Sequence, residues 1–273
     1  MYNLRTKILL FLFCTLSIAH AVSQEDNQLD MFSRASVKLK ILRDETEIGS
    51  ATGFSMLKNG KDYLVTNRHV VLACSLDRNP ANIGGWLCAN KVSIFHNRHG
   101  HADQWFWVTE DLYDAQGHKR WFEHPTLAGA ADLVAIPLAH TENVAFYDVD
   151  IELSNADIDV GRADTVTIVG FPFGQSQNVG LPIWKTGTVA SELSTNWSGR
   201  PMFLVDTTSR QGMSGSPVYA IRSGAFRSNG QLKMATKGAA IRFLGVYSEQ
   251  YQEAELGGVW KAEAVKALYD SLP

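Results

Sequence analysis

Short runs of alternating apolar and polar residues dominate this sequence and constrain its fold more than any other feature. Val37, Leu39 and Ile41 are separated by single lysines, which is the pattern of a strand with one buried face. Similar short apolar runs, separated by Gly, Asn, Asp and Ser, occur at residues 54–56, 63–66, 92–95, 133–137, 166–170, 202–205, 218–221 and 243–247. Many short strands at close spacing predict an all-β sandwich or barrel rather than alternating strands and helices.

The first 21 residues differ from the rest and predict a signal peptide. Arg5 and Lys7 give a positive start, residues 8–18 are apolar, and residues 19–21 have the form of an A-x-A cleavage site. Because the apolar run is too short to cross a bilayer as a helix, we expect no stable membrane insertion after cleavage. The expected location is the periplasm or the medium outside the cell.

The rest of the sequence divides into two halves and a tail. Residues 140–160 carry many Asp, Asn and Glu side chains and are the best candidate for a crossing between the halves, at about 36–140 and about 155–256. Residues 97–131 are polar and rich in His and Trp, which suggests an elaborated hairpin or long loops. Residues 257–273 are predicted to form a C-terminal helix, because their apolar residues recur with a roughly helical period.

Charge and cysteine content limit the partners and the compartment. The formal net charge is −3, and no basic run is present, so nothing favours a nucleic-acid partner or an anionic membrane. Two cysteines follow the predicted signal peptide, Cys74 and Cys88. In an oxidising compartment they predict a disulfide, worth about 3 kcal/mol for a loop of this length, although two free buried thiols are the alternative.

The stretch from Gly212 to Gly215, Gly-Met-Ser-Gly, carries the most specific chemical signal. A serine hydroxyl is a poor nucleophile unless a base removes its proton. Glycines allow the backbone angles that turn neighbouring amides toward one point, where they can stabilise an oxyanion. Ser214 is therefore the candidate nucleophile, with the amides of Gly212 and Ser214 as oxyanion donors. A simple Gly/Ser-rich turn is the alternative.

Two further residues complete a possible catalytic set. His69 follows closely on a predicted strand that ends in Thr-Asn at residues 66–67, with one residue between them, and histidine suits a general base because it titrates near neutral pH. Asp132 opens an apolar strand, where a buried carboxylate needs good hydrogen bonds such as an imidazole N–H. Either residue alone is more often structural. The order His, Asp, Ser matches the chymotrypsin type and not the subtilisin or α/β-hydrolase types.

The motifs together resemble the trypsin-like peptidase superfamily, and more narrowly its bacterial HtrA-type and glutamyl-endopeptidase-type branches. They are SATGF (50–54), TNRHVV (66–71), ADL (131–133), VGFPFG (169–174), LVDTT (204–208) and GMSGSP (212–217). The resemblance implies one protease domain over residues 22–256. Its fold would be all-β, with two perpendicular six-stranded antiparallel β-barrels and the three catalytic residues in the cleft between them.

The function implied is a serine endopeptidase that acts on protein or peptide substrates through an acyl-enzyme, with no cofactor and no metal. A catalytically silent peptide-binding module is the alternative, but it usually lacks one of these residues. An esterase or acyltransferase is a weaker rival, because Ser214 is followed by a strand pattern rather than the helix of a nucleophile elbow.

The resemblance also suggests where specificity arises. The base of the substrate pocket falls six residues before the nucleophile, at Thr208, which argues against a preference for Lys or Arg. The strand of residues 244–248 is expected to form a pocket wall, with Leu244, Gly245 and Val246 as substrate-binding residues. Leu244 and Val246 suggest a pocket for small or medium apolar side chains, although Arg242 or a pocket histidine could instead favour acidic ones.

Some features depart from the family pattern or have a simpler interpretation. Met213 replaces the aspartate with which digestive enzymes pair a newly cut N-terminus, and no PDZ-like region is expected. Asp111 and Asp114 are fallback carboxylates. The His-rich stretch with His96, His99 and His101 is expected to be a solvated loop rather than a metal site. The aromatic residues Trp105, Phe106, Trp107, Trp121 and Phe122 are expected to anchor the long loops, with a peptide-binding surface as the alternative.

Overall fold

The computed structural model describes residues 30–77, 85–177, 180–208, 210–236 and 238–273. The predicted signal peptide lies outside the described residues. The strands of the N-terminal half are β1 Ser36–Arg43, β2 Thr46–Lys58, β3 Lys61–Thr66, β4 Cys74–Leu76, β5 Trp86–Cys88, β6 Lys91–Arg98, β7 His101–Asp111, β8 Phe122–Glu123, β9 Val134–Pro137 and β10 Val144–Ala145.

The strands of the C-terminal half are β11 Thr165–Gly170, β12 Ile183–Val189, β13 Met202–Asp206, β14 Pro217–Arg222, β15 Ala225–Ser228, β16 Gln231–Met234, β17 Ala240–Tyr251 and β18 Leu256–Lys261. Three α-helical segments are present in the described residues: α1 (30–35), α2 (Arg68–Val71) and α3 (Ala262–Asp270). Short 3₁₀ helices occupy Ile151–Asn155, Pro172–Gly174 and Gln252–Ala254. The prediction was an all-β fold, and the described residues are mostly β.

The C-terminal half forms a closed six-stranded barrel with the strand order β11-β12-β13-β18-β17-β14, and all its pairs are antiparallel. Alternating apolar residues fill its interior, among them Val166 and Ile168 of β11 and Val218 and Ala220 of β14. This period-2 burial is what the sequence pattern predicts. One of the two predicted barrels is therefore confirmed.

The N-terminal half forms an eight-stranded sheet with the order β10-β6-β1-β2-β3-β9-β8, and β7 pairs with β6. Leu39 and Ile41 of β1 pack with Val92 and Ile94 of β6 in its core. Within the described ranges, no backbone pairing joins β8 to β10. Closure of this sheet into the other predicted barrel therefore stays a prediction.

The predicted C-terminal helix begins later than expected. Residues 256–261 form β18, the strand between β13 and β17, and α3 begins at Ala262. Gly257 explains the difference, because a Cβ at this position would overlap the ring of Tyr247. The strand can approach β17 only without a side chain there. Val259 faces the barrel core and fits a strand period as well as the helical one from which the prediction was made.

The polar region 97–131 contains an elaborated hairpin, as the sequence suggests. β6 and β7 pair along most of their length, and the chain then turns back toward β8 and β9. Trp121 is buried against Tyr113, with 5.4 Å between ring centroids, and Phe122 packs edge-on against Tyr63. These contacts favour the anchoring role of the aromatic residues. A second hairpin, β4–β5, contains the disulfide between Cys74 and Cys88.

The two halves share an apolar core. Phe54 and Tyr63 of the N-terminal sheet belong to the same buried cluster as Tyr219, Phe243 and Trp260 of the barrel. The helix α1 adds Phe32, which packs edge-on against Tyr219 at 4.9 Å between centroids. This packing fixes the ends of strands from both halves beside one another. None of the described helices has the length and apolar character required to cross a bilayer.

Candidate active site

His69 and Asp132 lie at the same end of two neighbouring strands. Asn67 follows β3 and immediately precedes α2, whose second residue is His69. Asp132 precedes β9, and β9 pairs with β3 through Val134 and Thr66. Strand pairing therefore brings together residues that are 63 positions apart in the sequence.

Two hydrogen bonds join His69 to Asp132. The backbone N–H of His69 donates to Oδ1 of Asp132 at 2.8 Å, and Nδ1 of the ring lies 2.7 Å from Oδ2. The side-chain amide of Asn67 donates to the carbonyl of Asp132, also at 2.8 Å. The ring is half exposed, whereas the carboxylate is mostly covered. The imidazole is thus fixed through one nitrogen while its opposite edge is accessible.

Ser248 is a third partner of Asp132 that the sequence analysis did not identify. Its hydroxyl donates to Oδ2 of Asp132 at 2.5 Å. Ser248 lies in β17, just after Tyr247, where the pairing of β17 with β18 shifts at a bulge before Gln250. Such bulges re-aim side chains near functional sites. Nothing in a serine that follows an apolar run would have indicated this contact.

These contacts determine the ionisation of Asp132. Burial by itself would raise the pKa of this carboxyl group. The hydrogen bond and charge of the His69 ring, together with the Ser248 hydroxyl and the His69 N–H, outweigh burial and hold the pKa of Asp132 below its usual value. Asp132 is therefore an anion at neutral pH, suited to fix the ring tautomer of His69.

The loop around Ser214 is shaped by two glycines in left-handed conformations, Gly212 with φ of 94° and Gly215 with φ of 85°. A Cβ at Gly212 would overlap the carbonyl oxygen of Phe171, and one at Gly215 would overlap that of Thr52. Both positions thus require glycine for space as well as for backbone angle. The glycines let the loop lie directly against the backbone of its neighbours.

Hydrogen bonds place this loop next to the strand ends that carry His69 and Ser248. The N–H of Thr52 donates to the carbonyl of Ser214 at 2.9 Å, and the N–H of Gly215 donates to the carbonyl of Tyr247 at 2.9 Å. The hydroxyl of Thr66, three residues before His69, donates to the carbonyl of Thr52 at 2.8 Å. The side chains of His69 and Ser214 are not hydrogen-bonded to each other among the contacts described.

The amides of Gly212 and Ser214 are available for a ligand. Among the described residues, neither N–H donates to a protein acceptor, whereas the N–H groups of Met213, Gly215 and Ser216 all do. Partly buried backbone donors are normally paired with protein or solvent acceptors. Two unpaired amides that flank one residue are able to bind an oxyanion.

The structure corrects the predicted pocket wall. Leu244 is buried in the barrel core and Val246 in the core that the two halves share, and the backbone at Gly245 packs against Trp260. The side chains of Leu244 and Val246 therefore pack in the core instead of lining a pocket, whereas Ser248, at the end of the same predicted wall, contacts Asp132. Thr208 is exposed just beyond β13, and its role at the base of a pocket stays a prediction.

The other candidate polar groups lie in separate structures. Asp114 accepts hydrogen bonds from the ring and the N–H of His118 in an exposed turn, and Asp111 ends β7. His96 is buried in β6 against Phe146 rather than in a loop. Among the described residues, no group of three His, Cys, Asp or Glu side chains is arranged to hold a metal ion.

Comparisons with known proteins identify one matching family and several similar solved structures. A family model described as a trypsin-like peptidase domain matches residues 51–226. A search of curated proteins finds no match. The chain is similar to the serine endoprotease from Yersinia pestis, with 13% identity, a TM-score of 0.49 and coverage of 87% of this chain, and it spans 62% of that protein's chain. It is also similar to the active form of the Rv3671c protease from M. tuberculosis, with 17% identity, a TM-score of 0.49 and coverage of 89% and 82% of the two chains.

Proposed function

Because the chain belongs to the trypsin-like peptidase family, we propose that it is a serine endopeptidase that cleaves protein or peptide substrates through Ser214, His69 and Asp132. The observation that carries the proposal is the His69–Asp132 pair, which is joined by two hydrogen bonds. The glycine-shaped loop of Ser214 packs against the strand ends beside this pair. We further propose that the N-terminal sheet closes into a second barrel, and that the protein is exported.

In the proposed reaction, the hydroxyl oxygen of Ser214 attacks the carbonyl carbon of the scissile bond while Nε2 of His69 takes the hydroxyl proton. Asp132 accepts the N–H on Nδ1 of His69, which leaves Nε2 free as the base, and stabilises the imidazolium that forms. His69 then gives the proton to the leaving amine as the carbon–nitrogen bond breaks. Water, deprotonated by His69, hydrolyses the acyl-enzyme and restores Ser214. This reaction uses no cofactor.

The oxyanion of the tetrahedral intermediate would be bound by the amides of Gly212 and Ser214. Their lack of protein acceptors supports this role, since preplaced donors need no reorganisation during the reaction. The absence of a hydrogen bond between His69 and Ser214 is compatible with the mechanism. Such bonds are often long in unliganded enzymes and tighten when the substrate binds.

A fluorophosphonate probe tests the proposal, because it labels a serine only when that serine is activated. We expect the purified protein, without residues 1–21, to be labelled covalently. Ser214→Ala should abolish labelling, and His69→Ala should reduce it at least 10³-fold, the scale of loss seen for members of such a triad. Ser271→Ala, at an exposed serine after α3, is the matched control and should label like the wild type.

Labelling that persists in Ser214→Ala would contradict the assignment of the nucleophile. If the folded wild type is neither labelled nor able to cleave a diverse peptide pool, the silent peptide-binding module becomes the better interpretation.

A further inference from the structure

A polar network begins at Glu249, the residue after Ser248, whose hydroxyl hydrogen-bonds Asp132. Both nitrogens of the Arg200 fork contact the carboxylate of Glu249, with Nη2 at 3.1 Å from Oε2. The hydroxyl of Tyr251 donates to the same oxygen of Glu249 at 2.7 Å. The indole N–H of Trp197 donates to the Tyr251 hydroxyl at 3.2 Å, and the two rings meet edge-on. We call these four residues the Arg200 wall.

The Arg200 wall adjoins the candidate active site through Ser248. Ser248 hydrogen-bonds Asp132, which in turn binds His69, and Glu249 is the next residue along β17. Consecutive Cα atoms are about 3.8 Å apart. Ser248 and Glu249 both lie in the bulge where β17 changes its pairing with β18. The carboxylate of Glu249 is therefore carried by the same short stretch of backbone that supports Asp132.

The charge of Glu249 is compensated by Arg200. Bidentate pairing with arginine is a strong and directional form of carboxylate recognition. The hydrogen bonds that Arg200 donates to the carboxylate of Glu249 raise the pKa of Arg200, so the guanidinium stays charged. Both side chains are about one-third exposed, which leaves the pair in contact with solvent and accessible to a ligand. The aromatic rings of Trp197 and Tyr251 lie beside the pair, and Trp197 is exposed.

We propose that the Arg200 wall lines the substrate cleft and sets its charge preference. Arg200 cancels the charge of Glu249, so the cleft accepts peptides whose side chain next to the Arg200 wall is uncharged. This inference rests on the proposed peptidase function. An isolated Glu249 would attract basic side chains, and an isolated Arg200 would attract acidic ones. The rings of Trp197 and Tyr251 offer an apolar contact instead, and aromatic residues of this kind are frequent binding anchors.

Charge-unmasking variants test the inference. The wild type, Arg200→Gln, Glu249→Gln and the double variant are each given a pool of peptides that place Leu, Lys or Glu at every position around the cleaved bond. Arg200→Gln should raise the kcat/KM for Lys peptides relative to Leu peptides about tenfold at one position, which corresponds to a single close charge interaction. Glu249→Gln should do the same for Glu peptides, and the double variant should return to the wild-type ratios.

Two controls separate charge from folding. Arg162→Gln breaks another Arg–Glu pair, in which Arg162 lies 2.7 Å from Glu192. This pair lies near the start of β11, at the end of the strand opposite to Gly170. The variant should leave the kcat/KM ratios among Leu, Lys and Glu peptides unchanged. Arg200→Lys keeps the charge and should keep the wild-type preference. If thermal unfolding shows that Arg200→Gln does not fold, Glu249→Gln and Arg200→Lys decide the question.

The inference and the proposed function fail in different ways. Fluorophosphonate labelling with unchanged Leu, Lys and Glu ratios in the two charge variants would overturn the inference and leave the peptidase assignment intact. If the wild type is not labelled, binding of the same peptides, followed by fluorescence anisotropy, replaces cleavage. Binding that ignores the charge of the peptide in all variants would then overturn the inference as well.

Discussion

Two His–Asp pairs in the described part of the chain have the same hydrogen bonds and very different surroundings. In each pair the aspartate accepts the backbone N–H of the histidine through one oxygen and faces the ring Nδ1 with the other, in His69–Asp132 and in His118–Asp114. In both pairs the contacts hold the pKa of the carboxyl group below its ordinary value.

The difference lies in what surrounds each pair. His118 and Asp114 are four residues apart in an exposed turn, with the ring largely in solvent. His69 and Asp132 are brought together by paired strands, Asp132 is mostly covered, and Ser248 supplies a further hydrogen bond. The glycine-shaped loop of Ser214 lies beside the His69–Asp132 pair, because the fold packs this loop against the strand ends next to that pair. Tertiary context, and not the pair itself, makes a candidate catalytic site.

The largest effect is expected from the same substitution in the two pairs. Asp132→Asn should lower the rate of fluorophosphonate labelling and of peptide hydrolysis about 10⁴-fold, because an amide cannot hold the His69 tautomer that leaves Nε2 unprotonated. Asp114→Asn should change neither rate by more than about twofold, since exposed pairs contribute little. Rates are compared at neutral pH for variants whose thermal unfolding shows that they fold.

A large loss of activity in Asp114→Asn with normal activity in Asp132→Asn would reverse the assignment. Asp114 would then be the functional carboxylate, and the surroundings of the two pairs would have been misinterpreted.

A smaller effect is expected for two glycines that share a left-handed conformation but not a neighbourhood. Gly212→Ala should slow labelling about 10²- to 10³-fold, the typical cost of losing one oxyanion donor, because its Cβ would overlap the Phe171 carbonyl and the loop must move. Gly224 has φ of 80° and open space around it. Gly224→Ala should cost about 1 kcal/mol of stability and leave labelling unchanged. Equal labelling rates in the two variants would contradict the role of the Gly212 backbone.

The difference between local properties of residues and contacts set by the fold also explains what could be predicted from the sequence. Period-2 alternation identifies strands such as β1 and β11, because burial of one face is a local property of the residues. Ser214, His69 and Asp132 can be proposed as a set because their chemistry is specific to residue type and their order matches a known family. The strands also indicate which of two aspartates is preferred, since Asp132 opens an apolar run and Asp114 does not.

Contacts that depend on three-dimensional register could not be predicted. Ser248 reaches Asp132 from the stretch where β17 bulges, and the alternation of residues in the sequence does not reveal this bulge. For the same reason the sequence does not show that the side chains of Leu244 and Val246 lie in the core and not in a pocket. The sequence predicts a helix over residues 257–273 because Val259 and later apolar residues recur with a roughly helical period. The contact that decides for a strand at 256–261 is the close approach of Gly257 to Tyr247, ten residues earlier, which the period does not reveal.

The smallest effect concerns stability and compares a buried with an exposed histidine. Burial lowers the pKa of His96 to about 4, whereas histidine in an unfolded chain titrates near 6.5. As the pH falls below 6.5, His96 binds a proton in the unfolded state but not in the folded state, so the free energy of unfolding decreases. The decrease ends at about pH 4, because His96 is protonated in both states below that pH. The contribution is about 3 kcal/mol. His96→Phe, which also packs against Phe146, should remove that loss, whereas His118→Gln should not.

The measurement is the free energy of unfolding by urea at pH 7 and pH 4.5 for the wild type and both variants. Burial raises the pKa of Asp148, which opposes the effect of His96 as the pH falls, so the informative quantity is the difference between wild type and variant. All eight histidines lie at or before His140, so hydrogen exchange should locate the acid-sensitive loss in the N-terminal sheet and not in the closed barrel. If the free energy of unfolding depends on pH equally in the wild type and in His96→Phe, His96 is solvated. Burial would then distinguish the two aspartates, Asp132 and Asp114, but not the two histidines, His96 and His118.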